Sequence, residues 1–176
     1  MAIHTAVMGR PGPDEAAPYY QSYIGRVPSD DVLGVLEAQS QETPAFLETI
    51  TEQRSLHRYG PDKWSIREVW SHVNDTERLI LFRALWFARG FDSPLPSFDQ
   101  KTCAVAARAD ERSWASHVEE FRAVRLATLA FLRELPAEAW TRTGIASDNR
   151  FSVRALVYIL AGHVVHHAAV LREHYT

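Results

Sequence analysis

Apolar residues recur at spacings of three and four along four long segments of this 176-residue chain. That spacing is typical of α-helices with one face in a core, and no segment alternates apolar and polar residues as a half-buried strand does. Helices of this kind bury their apolar faces against one another, so the sequence predicts an all-α four-helix bundle. The predicted helices run from Ser29 or Asp30 to Ile50, from Ser65 to Arg89, from Glu111 to Leu135, and from Ser152 to the C-terminus.

The best-marked helix start in the chain is at Ser65. Its hydroxyl can accept a hydrogen bond from the amide of Glu68, and Glu68 can reach back to the amide of Ser65, which makes a capping box. In the preceding helix Pro44 lacks an amide proton, which predicts a kink or two abutting helices. After the capped helix, the long connection from Gly90 to about Asp110 is of the kind that spans bundle ends or covers a site.

The first 28 residues contain four prolines and three glycines, which predicts an irregular N-terminal arm ahead of a bundle domain at residues 29–176. Three tyrosines, Tyr19, Tyr20 and Tyr23, cluster in this arm. Two interpretations stay open for them. The tyrosines pack on the surface of the domain, or the arm forms a lid over a site or a strap onto a second subunit.

Composition narrows the class of protein and its location. A net charge of −3 argues against a broad surface for nucleic acid or for an acidic membrane. The single Cys103 excludes an intramolecular disulfide and a cysteine-rich metal site, which fits a reducing compartment. The N-terminus has no signal-peptide pattern, and no apolar run approaches the roughly 18 residues that span a bilayer. We therefore expect a cytoplasmic protein that binds neither nucleic acid nor membrane.

Histidines interrupt the apolar stripes of two predicted helices. His163 and His167 are four residues apart and share one face of the last helix, and His72 lies at the edge of the stripe in the second. Neutral imidazole suits zinc, nickel, copper or iron. Packed in one bundle, the three would converge and leave a coordination position open, as in catalytic sites. The alternatives are that they are core histidines bonded to their neighbours, or solvated histidines at a frayed last turn.

Two charged residues also interrupt apolar stripes. Glu77 does so in the second predicted helix and Arg125 in the third. An unpaired buried charge is costly, and a guanidinium can bind a carboxylate with two hydrogen bonds. The opposite signs therefore predict a buried ion pair. In the alternative, Arg125 extends to water while Glu77 bonds a backbone group or another arginine.

Seven segments, in this order along the chain, carry a resemblance to a known family: Lys63 to Val73, Asp75 to Arg78, Arg83 to Gly90, Pro94 to Asp99, Gly162-His163, His166-His167 and Leu171 to Glu173. With these segments the chain resembles, from about residue 28 onward, the DinB/YfiT-like metalloenzyme family. The family resemblance implies a four-helix bundle with three histidine ligands, which fall here at His72, His163 and His167. One departure is Val164, where many relatives have an acidic residue.

The resemblance also implies chemistry. The family includes thiol S-transferases that use bacillithiol, similar bundles include mycothiol-dependent isomerases, and other members have been called hydrolases. We therefore expect an enzyme with a divalent metal, zinc or nickel, that transfers a low-molecular-weight thiol to a small-molecule electrophile. The alternatives are a hydrolase that uses a metal-bound hydroxide and a non-catalytic, stress-associated metal-binding bundle. Asp75 and Glu77 are candidates for orienting a ligand histidine or accepting a proton. The resemblance also implies a homodimer.

Overall fold

The structure, a computed structural model, describes residues 9–175. The first eight residues of the expected arm and the last residue of the chain lie outside this part. The described helices are α1 (Pro18–Ile24), α2 (Val32–Leu47), α3 (Ile66–Ala88), α4 (Gln100–Ala107), α5 (Trp114–Arg133) and α6 (Val153–His174). Two short antiparallel strands, β1 (Thr143–Ala146) and β2 (Asn149–Ser152), form a hairpin between α5 and α6.

The four long helices α2, α3, α5 and α6 form the bundle, which confirms the predicted fold class. Helix α6 packs against α1, α2 and α3, and α5 packs against α2 and α3. By length and composition α6 is apolar enough to cross a membrane, yet 67% of its most apolar window is buried inside the protein. Its apolar residues therefore belong to the core, as expected of a central bundle helix.

Helix α3 begins at the predicted capping box. The amide of Glu68 donates to Ser65 Oγ over 3.1 Å, and the amide of Ser65 donates to Glu68 Oε2 over 2.8 Å. Helix α3 ends at Ala88 and is followed by Gly90, whose φ of 81° is the left-handed conformation that glycine adopts without strain. The start and end of this helix therefore follow from local sequence chemistry.

Helix α2 differs from its predicted form at both ends. Asp31, and not Ser29 or Asp30, caps it by accepting a hydrogen bond from the amide of Gly34. The helix ends at Leu47, before Ile50, and runs through Pro44 as a single helix, so the prediction of two abutting helices is wrong. A proline inside a helix removes only one backbone donor, and here three more helical residues follow it before the helix ends.

Three short elements and one helix start were not predicted. The arm contains α1, the connection after Gly90 contains α4, and the helix predicted from Glu111 begins instead at Trp114, capped by Ser113. The expectation of no strands is wrong for the hairpin. Its strands are too short to show an alternating pattern, and its turn has positive φ at Ser147 and Asp148, as tight hairpin turns require.

Candidate metal centre

Three histidine side chains converge where α3 packs against α6. His72 extends from α3, while His163 and His167 extend from successive turns of α6. The Nε2 atom of His163 lies 3.1 Å from that of His72 and 3.0 Å from that of His167. All three predicted ligands thus direct ring nitrogens at one point, as the spacing and the family resemblance led us to expect.

The nitrogen separations fit a shared metal ion. Two nitrogens ~2.0–2.1 Å from zinc lie about 3.3 Å apart at the tetrahedral angle and about 2.9 Å apart at a right angle. The observed 3.0 and 3.1 Å fall between these values. Three neutral imidazoles so close together cannot all satisfy their Nε2 atoms by bonding one another, because each ring carries only one proton. A cation that accepts three lone pairs resolves this arrangement.

Burial keeps these rings neutral, as metal ligands must be. It lowers the pKa of His72 to about 4, with a smaller contribution from His166. Burial also lowers the pKa of His167 to about 3, and His72 and His166 lower it further. For His163, burial and then the neighbouring histidines hold the pKa well below its usual value. At neutral pH each ring is therefore uncharged and keeps one unprotonated nitrogen, so it can bind metal without first losing a proton.

The Nδ1 atoms of His72 and His167 have few hydrogen-bond partners. His72 Nδ1 lies 3.4 Å from the hydroxyl of Thr76, one turn further along α3. His167 Nδ1 is buried and has no hydrogen-bond partner in the described part of the chain. Across residues 9–175, no further histidine, cysteine or acidic side chain joins the cluster. The site therefore offers three protein ligands and keeps the rest of a metal's coordination sphere open, which is the pattern of catalytic zinc.

Cavities lie on two sides of the three histidines. One, of about 150 Å³, is bordered by His72 and His163 and reaches Arg83 and Phe98. This volume suits a molecule of about the size of benzene. The other, of about 330 Å³, is bordered by His167 and is lined also by Tyr59, Asp62, Lys63, Trp64, Val69, His166, Val170 and Tyr175. The site is thus open to small molecules from two directions.

Comparisons with known proteins identify the family of the chain and support its fold. The family model described as DinB superfamily matches residues 36–171, which include all three histidines. The chain belongs to the DinB superfamily. Among solved structures it is similar to YfiT from Bacillus subtilis, described as a probable metal-dependent hydrolase with an unusual four-helix bundle topology. That likeness has a TM-score of 0.73 and 17% identity over 94% of this chain and 91% of that one. No curated protein matches the chain.

In this DinB-superfamily chain, the two carboxylates considered for catalysis lie apart from the histidines. Glu77 accepts hydrogen bonds from Arg125 Nε and Nη2, each over 2.8 Å, which confirms the predicted buried ion pair. Asp75 is half-buried, its Oδ1 lies 3.6 Å from Nη1 of Arg78, and burial raises its pKa. No hydrogen bond within residues 9–175 joins Asp75 or Glu77 to a ligand histidine. Their catalytic role stays a prediction without a supporting contact.

Helix α1 forms a wall of the site, which the arm's composition did not reveal. The ring centroid of Tyr23 lies 5.6 Å from that of His163 and 5.6 Å from that of His166. This approach depends on Gly162, because a Cβ there would lie only 2.0 Å from the carbonyl oxygen of Tyr23. In the sequence, the one sign of this close approach was the glycine directly before His163. Tyr23 thus packs on the surface of the bundle, as the first interpretation of the arm has it, and does so beside the histidine cluster.

Proposed function

We propose that this protein is a metal-dependent enzyme that joins a low-molecular-weight thiol to a small electrophile. The observation that carries the proposal is the open cluster of three neutral histidines with a cavity on either side. A divalent metal, zinc or nickel by ligand preference, would be held by Nε2 of His72, His163 and His167. When bound, it would supply positive charge that favours the thiolate form of a thiol.

The chain's own side chains would then orient the reactants and restrict water. Trp64 lies over His72, with ring centroids 5.2 Å apart, and Tyr23 covers His163 from the other side. The sulfur would bond to the electrophilic carbon, the leaving group would depart with its bonding electron pair, and the thiol proton would pass to solvent. None of these steps requires Glu77, whose carboxylate is bound to Arg125.

Two cavities favour transfer between two substrates over hydrolysis. The smaller cavity borders His72 and His163, and the larger one borders His167, so two reactants could approach the same ligands from different sides. Hydrolysis remains the second candidate, since YfiT is described as a probable metal-dependent hydrolase and the same histidines could activate water. A purely structural metal would call for a fourth protein ligand, and residues 9–175 offer none in the cluster.

The test combines metal analysis with two activity screens. Metal per chain would be measured by mass spectrometry for the wild type, for His72→Ala and for His174→Ala. The last removes an exposed histidine at the end of α6, the helix of His163 and His167, and serves as the control. The metal-loaded proteins would then be offered a haloalkane electrophile with a panel of thiols, and separately an activated ester with water.

We expect about one metal per chain in the wild type and in His174→Ala, and a large loss in His72→Ala. Thiol-dependent consumption of the haloalkane, absent in His72→Ala, would support transfer. Ester cleavage without thiol would favour the hydrolase instead. Unchanged metal content in His72→Ala would reject the metal site itself. A cytoplasmic location and a homodimer also stay proposals, the latter to be tested by light scattering.

A further inference from the structure

Arg83 is a buried arginine without a carboxylate partner. In the described part of the chain three arginines are buried, and the other two have acidic partners: Arg67 pairs with Glu52, and Arg125 pairs with Glu77. No salt bridge to Arg83 exists within residues 9–175. A guanidinium is never neutral in proteins, and a buried charge without a counter-ion is costly. The exception therefore calls for an explanation.

The hydrogen bonds of Arg83 leave part of its guanidinium unused. Its Nη2 donates to the carbonyl of Pro96 over 3.1 Å and to Ser147 Oγ over 2.8 Å. These contacts come from the connection after α3 and from the hairpin turn, and they hold the side chain in place. Its Nε is buried and has no partner among the described residues. Pro96 and Ser147 are neutral partners, so they hold the guanidinium in place without balancing its positive charge.

Arg83 shares a face of α3 with the metal ligand His72. The two are eleven residues apart, which is about three turns and places their Cα atoms roughly 16 Å from each other along the helix. Both line the same cavity of about 150 Å³, with Thr76 and Leu79 between them. The hydrogen bonds of Arg83 to Pro96 and Ser147 hold its guanidinium beside the hairpin turn, where it borders the cavity. One small molecule in this cavity would have the metal site at one end and a cation at the other.

Another polar group near Arg83 is a hydrogen-bond donor as well. Tyr20 of α1 lines the same cavity and packs edge-on against Phe151, with ring centroids 4.9 Å apart. Burial raises the pKa of Tyr20, and the nearby charge of Arg83 only partly offsets this, so the phenol keeps its proton at neutral pH. A guanidinium and a phenol with no acid beside them make a pocket for an anion.

We propose that Arg83 binds the carboxylate of a small substrate whose reactive carbon lies at the three-histidine site. The second half of this statement rests on the proposed function, whereas carboxylate binding at Arg83 does not. A single guanidinium balances one negative charge, which fits a carboxylate better than a phosphate dianion. The cavity's volume suits a substrate of about the size of a benzene ring with its substituent.

The test is calorimetric titration of the protein with acetate, butyrate and benzoate, and with uncharged benzamide. Each would be titrated into metal-loaded and chelator-treated wild type, Arg83→Gln and Arg89→Gln. Arg89 is exposed at the end of the same helix and gives the matched control. At least one carboxylate should bind the wild type about 10- to 100-fold more tightly than Arg83→Gln, with or without metal. Arg89→Gln should resemble the wild type, and benzamide should not distinguish the three proteins.

A second measurement protects the test against misfolding of the variant. In ¹⁵N-labelled wild type, the best-binding carboxylate should shift the Nε–H resonance of Arg83, and benzamide should leave it unmoved. If no carboxylate prefers the wild type and the resonance does not move, the proposal is wrong. Carboxylate binding that needs the metal but is insensitive to Arg83→Gln would also overturn it, since the acid would then bind the ion. If Arg83-dependent binding survives while thiol-transfer and ester-cleavage activities are absent, only the proposed function fails.

Discussion

Loss of either member of the Glu77–Arg125 pair should strongly destabilise the fold. The Arg125 side chain is 0% exposed and that of Glu77 is 2% exposed. Besides the two bonds between them, the Thr128 hydroxyl donates to Glu77 over 2.9 Å, and Arg125 Nη1 donates to Gln39 Oε1 over 2.8 Å. Arg125 Nη1 also donates to the carbonyl of Leu36 over 3.3 Å. Five hydrogen bonds therefore connect α2, α3 and α5 at one buried point.

The expected loss in the free energy of unfolding follows from the unpaired charge that each single substitution leaves in the core. Glu77→Leu leaves a buried guanidinium without a counter-ion, and Arg125→Met leaves a buried carboxylate, so each should cost roughly 3–5 kcal/mol of the free energy of unfolding. The double variant removes both charges and fills the space with apolar atoms. It should cost less than the sum of the single changes, with a coupling energy of about 2–3 kcal/mol.

Urea denaturation of the wild type, both single variants and the double variant measures this coupling. The matched control is the cycle at Glu37 and Arg133, which form a 2.7 Å ion pair with side chains about half exposed. Its coupling should be only ~0.2–1 kcal/mol, because water screens the charges. A coupling at Glu77 and Arg125 no larger than in the control would refute the claim that the buried pair braces the bundle.

Three further predictions concern the site. Chelation at neutral pH should lower the melting temperature of the metal-loaded protein in calorimetry, since α3 and α6 lose a shared ligand. Between pH 6.5 and about 4, stability and bound metal should both fall as the pH falls. Burial holds the pKa of His72 in the folded protein at about 4, so the unfolded chain binds protons first. Metal content measured against pH checks this. Gly162→Ala should cost about 1–3 kcal/mol in urea denaturation, or displace α1 from the site, because its Cβ would meet the backbone of Tyr23.

The long helices were predictable because their signals are local. The capping box at Ser65 and the glycine at position 90 determine the ends of α3 from residues within one turn. The Glu77–Arg125 pair was predictable for a related reason. Each charge breaks an apolar stripe in its own helix, the two charges are opposite in sign, and both helices belong to one bundle.

The short elements were not predictable because their stability depends on distant residues. A Cβ at Gly144 of the hairpin would lie 2.1 Å from the ring of Phe87, so β1 packs directly on the end of α3. The hairpin is also tied to the connection after α3, where the amide of Leu95 donates to the carbonyl of Ile145 over 2.9 Å. Likewise α1 depends on its approach to α6 at Gly162. None of these contacts leaves a periodic pattern in the sequence.

The candidate site was predictable only in part, because some of its signals are local and others depend on the packing of distant segments. Histidine spacing and the family resemblance indicated His72, His163 and His167, and the packing of α3 on α6 brings them together. The unpaired charge of Arg83 could not be read from the sequence. An arginine at position 83 gives no sign in the sequence that acidic side chains are absent around it. That absence, within residues 9–175, follows from the way α1, the hairpin and the connection after α3 surround the side chain.

Helix α3 links the stability of the bundle to the geometry of the site. At about 100° per residue, Arg83 lies only ~20° around the helix from His72, whereas Glu77 lies ~140° away. One face therefore carries the site residues towards α6 and α1, while the other carries the ion pair towards α5. Because a helix moves largely as a rigid element, a change at Glu77 that lets α3 rotate would move His72 relative to His163 without touching either. Variants of the buried pair should consequently lose metal affinity as well as stability, even though Glu77 makes no contact with the histidines.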